Sequence, residues 1–316
     1  MKIISDDQIK NINIQPTTCL EWIKSSFLCK KDANLPPKIS MHLSEGNFFN
    51  TMPCLLPNVY NSFGVKVVSR IKSSSPILKS EILLYNASTG DLLAILDGNW
   101  ITAMRTGAVS TLAIQTFRKQ NVEQYGFLGL GNTARATLLC LLDSEQNIKH
   151  KVALLKYKDQ AELFINRFSN YRNVEFCIVD TIEELIETSD VVISCITEAN
   201  DLLCKKEELF RKGCLLVPVH TKGFQNCDLF FDKVFSDDTA HVSNFKYFNK
   251  FKSYAEISDV LLNRSPGRES DEERIISYNI GLGLHDVYFA YNIYNILKDN
   301  IDDVVGWSKV LKKFWL

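Results

Sequence analysis

No run in the sequence approaches eighteen consecutive apolar residues, so nothing in it is long enough to span a membrane as a helix. Long basic blocks are missing too, and the formal net charge is −1. That lack argues against nucleic acid as the main partner, because phosphate binding leaves a positive footprint. Nine cysteines stand singly: Cys19, Cys29, Cys54, Cys140, Cys177, Cys195, Cys204, Cys214 and Cys227. None forms a C-x-x-C pair or a cysteine/histidine spacing suited to a metal, so no metal is expected. Several lie inside apolar runs, as reduced core thiols do. The opening stretch MKIISDDQIKNINI carries no signal-like apolar segment. Together these absences predict a cytoplasmic protein. Internal repeats and low-complexity tracts are also absent. What remains is a chain of 316 residues, 46% hydrophobic and 23% charged, enough for two modest domains or one large one.

Up to about residue 104, short apolar runs are punctuated by Pro36, Pro37, Pro53, Pro57 and Pro76. Phe63–Val68 and Glu81–Tyr85 have strand character, and the turn from Asn86 to Gly90 closes a hairpin onto Leu92–Leu96. Thr102–Phe117 has apolar residues at helical spacing and few breakers. From Tyr125 the texture alternates. Strands are predicted at Tyr125–Leu128, Val152–Leu155, Val174–Val179, Val191–Cys195, Cys214–Val219 and Lys233–Phe235. Helices are predicted at Ala134–Leu142, Gln160–Phe168 and Ile182–Glu187, between the first four strands. Such alternation predicts an α/β fold with a doubly wound parallel sheet of the Rossmann kind. A last helix, Leu282–Lys298, is expected to leave the sheet and return to the first domain.

The most informative stretch is Gly126-Phe-Leu-Gly129-Leu-Gly131-Asn-Thr-Ala134. It sets G-x-G-x-x-A directly after an apolar strand and before a helix. Gly129 permits the tight turn, Gly131 lets the backbone approach a pyrophosphate, and Ala134 allows close helix–strand packing. The free amides at the helix start, around Asn132 and Thr133, then face the phosphates. The next strand should end near an acid for the ribose of NAD. Here it runs into Lys156, Tyr157, Lys158 and Asp159, and lysines suit a 2′-phosphate better, which favours NADP(H) over NAD(H). The alternative is that the lysines are a solvated strand end and Asp159 takes the ribose. Cys195 and Thr197, at the tip of Val191–Cys195, would lie along the cofactor.

Taken together, these motifs resemble the ornithine cyclodeaminase/μ-crystallin family. The matching pieces are Pro36-Pro-Lys38, Met52-Pro53, Gly64-Val-Lys66-Val, Met104-Arg105-Thr106 with the residues through Ser110, Gly129-x-Gly131 and Asp190-Val-Val-Ile-Ser-Cys195. Gly267-Arg268-Glu269, the stretch from Gly281 to Asp286, and Tyr294 complete the set. They fall in the family's order and cover nearly the whole chain. The resemblance implies a substrate and dimerisation domain of α+β type at 1–119, completed by 285–316, and a Rossmann dinucleotide-binding domain at 120–284. It implies a homodimer, with α-amino acids or their imines as substrates and hydride passing between substrate Cα and nicotinamide.

By the same resemblance Lys38, Met52, Lys66 and Arg105 are substrate-binding, the cations meeting a carboxylate. Lys66, between Val65 and Val67, would be buried enough to lower its pKa and move protons; the alternative is a lysine snorkelling from a strand edge. Asp286 would face the nicotinamide or lie on a helix surface. One departure stands out. Where the family carries an aspartate after the strand ending at Val219, this chain has His220, Thr221 and Lys222, and Asp228 falls several residues late. His220 is the candidate replacement, as a group that titrates near neutrality, or else a hydrogen-bonded strand-end histidine.

The expected activity is an NAD(P)-dependent oxidoreductase at the C–N bond of an amino or imino acid. A cyclodeaminase-type ammonia lyase and a non-catalytic NADPH-binding protein of the μ-crystallin type are the alternatives. The run from Arg264 to Arg274 resembles a loop of the branch that forms 2,3-diaminopropionate, and as a bare charge run it is expected to be solvated.

Overall fold

The computed structural model describes residues 1–197 and 199–304. Its chain divides into two units. One takes residues 1–13, 31–102 and 286–304; the other takes 14–30 and 103–285, residue 198 apart. The expected division had placed 14–30 and 103–119 in the first domain, whereas both segments belong to the second unit. The expected contribution of 305–316 lies outside the described residues.

In the first unit, β1 (Lys2–Ile4) leads into α1 (Asp6–Asn11), where Ser5 and Gln8 cap each other reciprocally. The helix α2 (Pro16–Leu28) belongs to the second unit. Strands β2 (Ile39–His42), β3 (Phe48–Leu55), β4 (Ser62–Arg70), β5 (Leu78–Asn86) and β6 (Leu92–Asp97) follow. They form an antiparallel sheet in the order β1-β6-β5-β4-β3-β2, with β1 parallel to β6. In the middle of the sheet, Ser62, Gly64 and Lys66 of β4 alternate inward while Phe63, Val65 and Val67 are less covered. Sequence punctuation by Pro53 hid β3. Proline is tolerated there because the Leu55 amide, two residues on, points outward to Asn34, so the ring nitrogen of Pro53 faces the same open edge and no ladder bond is lost.

The helix α3 (Asn99–Phe117) carries the chain into the second unit. There β7 (Tyr125–Leu128), α4 (Asn132–Ser144), β8 (His150–Leu155), α5 (Gln160–Arg167), β9 (Val174–Val179), α6 (Ile182–Thr188) and β10 (Val191–Ser194) alternate as the periodicity predicts. After them come β11 (Leu215–Pro218), β12 (Lys233–Ser236), α7 (Thr239–Val242), β13 (Tyr254–Glu256), α8 (Ile257–Leu261) and β14 (Ile275–Tyr278). All pairings are parallel, in the order β13-β12-β14-β11-β10-β7-β8-β9. This is the expected Rossmann-type doubly wound sheet, and the chain also has a second, mixed α+β unit. Strands β7, β10 and β11 are covered on both faces, which is why they read as unbroken apolar runs. The strand order reverses between β7 and β10, so the carboxyl edge there is the switch point at which such sheets take ligands.

Among the described residues the last regular element is the helix α9 (Gly283–Leu297). Strands β13 and β14 were not foreseen, nor were α1, α2 and β1 to β3. For α2 a signal was present: Pro16 at the first turn, then Cys19, Leu20, Ile23 and Phe27 buried at helical spacing. No helix among the described residues is long and apolar enough to cross a membrane.

Candidate active site

The glycine turn separates into two different demands. Gly129 has φ +77°, and a Cβ there would lie 2.7 Å from the Cys195 carbonyl carbon and from the Ile196 amide nitrogen. The tip of β10, tied to β7 by Cys195 N–H donating to Leu128 O at 2.7 Å, leaves room for nothing but glycine. Gly131 is the opposite case. Its φ of −79° suits any residue, and a Cβ there would meet no described atom within 4 Å. Neither backbone nor packing requires glycine at 131. What it leaves is open space at the amino end of α4, which has no side-chain cap. Asn132 is exposed and Thr133 half-buried there, while Ala134 is buried. An open, uncapped helix start at the switch point fits a pyrophosphate.

Beyond β8 the residues Lys156, Tyr157, Lys158 and Asp159 are all exposed. Lys156 Nζ lies 3.3 Å from Asp180, which follows β9, and Lys158 stands over the Tyr157 ring. Asp159 precedes α5 without capping it by its side chain. At the tip of β10, burial pushes the Cys195 thiol up to about 12, so it stays protonated and is no nucleophile. Thr197 is exposed.

His220 is held at both nitrogens. Its Nδ1 is 2.6 Å from the Lys222 carbonyl, which can only accept, so Nδ1 carries the proton. The hydroxyl of Ser194 at the end of β10, 2.6 Å away, then donates to Nε2. Burial lowers the pKa of His220 below the ordinary histidine value, opposed by the Lys222 carbonyl. The ring is therefore neutral at pH 7. Asp228 lies deeper, accepting the Tyr278 hydroxyl at 2.7 Å, and burial pushes it up to about 7.

In the first unit, Lys66 of β4 pairs across the sheet with Met52 and Ile82, and Ile82 with Leu96, a row of buried side chains. Its ammonium is 2.6 Å from Asp286 Oδ2. Both residues are buried, so Lys66 does not snorkel and Asp286 is not a surface acid. The approach of α9 is close: a Cβ on Gly64 would lie 2.8 Å from the methyls of Val287. Lys38 is half-buried and immediately precedes β2. Continuing the Ile39–Thr51 register by one residue sets Lys38 across from Met52, in the row of Lys66.

Arg105, buried on α3, belongs to the second unit. Gly107, two residues on, lets α3 press onto α4; a Cβ there would fall 2.5 Å from Ala136. Gly281, at φ +101°, lies against the Arg105 guanidinium, where a Cβ would meet Nη1 at 2.5 Å. The Gly281 amide donates to Asp237. Asp237 is fully buried, which raises its pKa, but the hydrogen bonds from His241 and Gly281 outweigh burial and hold it below the ordinary range. Neither Asp237 nor Gly281 was singled out from sequence as part of the site.

Asn279 was missed as well. It follows β14 at the carboxyl edge, its amide donating to Pro218 O at 3.1 Å. Both polar atoms of its buried side chain lack a hydrogen-bond partner among the described residues. In the charge run at 264–274, Arg264, Glu269, Ser270, Asp271 and Glu272 are exposed as expected, whereas Arg268 is half-buried and donates to the carbonyls of Phe117, Gly213, Ser270 and Glu273. It clamps a structured loop, because four converging carbonyls satisfy a planar guanidinium. Among the described residues no group of three or more histidines, cysteines or acids could hold a metal ion.

Comparison with known proteins gives a consistent outcome. The model of the ornithine cyclodeaminase/mu-crystallin family matches residues 8–300. The nodulation efficiency protein NfeD of Rhizobium meliloti is 23% identical over 274 residues, covering 83% of each chain. The N-((2S)-2-amino-2-carboxyethyl)-L-glutamate dehydrogenase of Staphylococcus aureus is 24% identical over 229 residues, 67% of this chain and 66% of its own. Among solved structures, the Thermococcus litoralis Δ(1)-pyrroline-2-carboxylate reductase, in complex with NADH and L-proline, superposes with a TM-score of 0.85 at 22% identity. It covers 96% of this chain and 100% of its own.

Proposed function

The chain belongs to the ornithine cyclodeaminase/mu-crystallin family, and from that premise we propose that it is a nicotinamide-dependent oxidoreductase acting at the C–N bond of an α-amino acid or its imine. The observation that carries the reading is Gly131, a glycine that neither backbone nor packing needs, opening space at an uncapped helix start on the sheet's switch point. Relatives named as a dehydrogenase of an amino-acid conjugate and as an imino-acid reductase support the substrate class.

Pyrophosphate would rest on the amides of Gly131, Asn132 and Thr133. The Asn279 carboxamide offers both a donor and an acceptor, matching the carboxamide of a nicotinamide ring. When bound, the nicotinamide supplies or takes the hydride at substrate Cα. Arg105 in the second unit, and Lys66 and Lys38 in the first, are each carboxylate-binding by the family resemblance, and the fork of Arg105 suits a two-pronged contact. Met52 contributes an apolar surface beside Lys66. Lys66 gives or takes the proton at the substrate nitrogen, and Asp286 keeps its ammonium oriented. His220 can take a proton at Nε2 once the Ser194 hydroxyl turns away.

NADP(H) is the favoured form: Lys156 and Lys158 stand exposed beyond β8, Tyr157 between them offers a flat ring, and Asp159 and Asp180 are neighbouring negative charges at this end of the site. A homodimer is supported by the edge strand β2, whose Ile39 and Met41 are 59% and 54% exposed. Nine free cysteines favour a reducing compartment such as the cytoplasm.

A panel of α-amino acids and cyclic imines, followed at the nicotinamide absorbance band with both coenzymes, tests this. Stoichiometric change in the band with a C–N substrate is expected. Ammonia release without net change would instead identify a lyase, and tight NADPH binding without turnover of any substrate would identify a binding protein.

A further inference from the structure

Asp237 lies just after β12, wholly buried and tethered on every side. Its backbone amide donates to Tyr278 O at 3.1 Å and its carbonyl accepts Lys30 Nζ at 2.8 Å. Lys30 in turn meets Asp238 at 2.8 Å and Glu256 at 2.7 Å. The carboxylate divides its two oxygens: Oδ1 faces His241 Nδ1 at 3.1 Å, and Oδ2 accepts the Gly281 amide at 2.5 Å. On the other side of that same residue, the α-carbon of Gly281 faces the Arg105 guanidinium so closely that a methyl there would stand 2.5 Å from Nη1 and 3.1 Å from Nη2.

Glycine at positive φ is the freest backbone the chain has, and a peptide of that kind defines a surface only if something holds it. The buried carboxylate supplies that hold. Resting on the assignment of Arg105 to the substrate carboxylate, we propose that Asp237 is a positioning residue for Arg105, acting through the Gly281 peptide to set the guanidinium's place and plane. The chemistry of the tether fits the task. A charged acceptor bonds an amide about twice as strongly as a neutral one, and the buried setting keeps water from competing for it. Nothing in the proposal requires Asp237 to touch substrate or coenzyme.

The test compares Asp237→Ala and the gentler Asp237→Asn with Gly281→Ala, which pushes on Arg105 directly. The probe is the free L-α-amino acid that turns over fastest in the panel above, set against its carboxamide, which offers Arg105 no carboxylate. Asp237→Ala and Gly281→Ala should each raise KM for the acid about tenfold while kcat stays within about twofold, with Asp237→Asn between parent and Ala. Calorimetric affinity for NADPH should not move. In an Arg105→Lys background the Asp237→Ala step should lose its effect on KM, because both act on one contact. Independently of turnover, the Arg105 Nε–H signal in 15N-arginine-labelled protein should shift or broaden in Asp237→Asn. An unmoved Arg105 signal, an equal KM penalty in the Arg105→Lys background, or a parallel loss of NADPH affinity would each overturn the proposal. If Arg105→Lys itself leaves KM for the acid unchanged, the failure belongs to the substrate assignment, and the labelled signal still decides the positioning.

Discussion

The ammonium of Lys66 on β4 lies 2.6 Å from the carboxylate of Asp286 on α9, with side-chain exposures of 1% and 0%. A buried ion pair is a weak source of stability, since desolvating two charges cancels most of their attraction. Its presence in an otherwise apolar row of Met52, Ile82 and Leu96 is better explained by a charge kept for use.

Breaking the pair should be costly and removing it whole should not. Lys66→Met or Asp286→Leu alone removes one partner of a buried ion pair, and each should lose about 3–5 kcal/mol of stability in urea unfolding. The double variant should regain most of that loss. All three should be inactive, so stability and turnover come apart in the double variant. A double variant as unstable as the singles would contradict the account.

The two glycines of the turn should respond in opposite ways. Gly131→Leu meets open space and an ordinary φ, so thermal unfolding should match the parent while coenzyme affinity falls by at least about tenfold in calorimetry. Gly129→Ala must push on the β10 tip from a positive φ, and there the melting temperature itself should drop.

Lys156→Glu bears on coenzyme choice. A charged hydrogen bond to a 2′-phosphate is worth about 1.5–3 kcal/mol, so the ratio of kcat/KM for NADPH over NADH should fall by at least about tenfold. An unchanged ratio would assign that end of the site to Asp159 or Asp180.

Asp228 gives stability a pH dependence. Its pKa stands near 7 in the folded chain against an ordinary value of 3.8, so the folded state binds the proton more tightly. Stability from this group is full below about pH 4 and declines as pH rises through 7, where the buried carboxyl must ionise. Asp228→Asn should therefore gain on the parent between pH 5 and pH 7 and hold a constant lead above about pH 8. Paired unfolding curves at three pH values would show it, and a lead that shrinks with pH would refute it.

Much of the fold was legible beforehand because its cues are local. The predicted strand Tyr125–Leu128 matches β7, and Val174–Val179 matches β9, since period and turn residues belong to the same short stretch. Strand β3 was hidden because the rule against proline assumes a paired amide, and only the position of Asn34 shows that the Pro53 edge is open. Helix α2 carried a readable start at Pro16 and went unread. The charge run around Arg268 looked solvated because composition reports polarity and not what surrounds it; the carbonyls of Phe117 and Gly213 come from distant parts of the chain.

The sequence alone carried the strand–turn–helix at Gly129 to Ala134 and the alternation that follows it, whereas the cations Lys38, Lys66 and Arg105 were picked out only by the family resemblance. The turn and the alternation depend on backbone periodicity and residue type, which each segment carries on its own. Only tertiary structure decided that Asp286 meets Lys66, that Gly281 stands between Asp237 and Arg105, that both nitrogens of His220 are engaged, and that Asn279 is buried with its carboxamide open. Each of these is a contact between residues far apart in the chain or a question of what water can reach, and no local pattern encodes either.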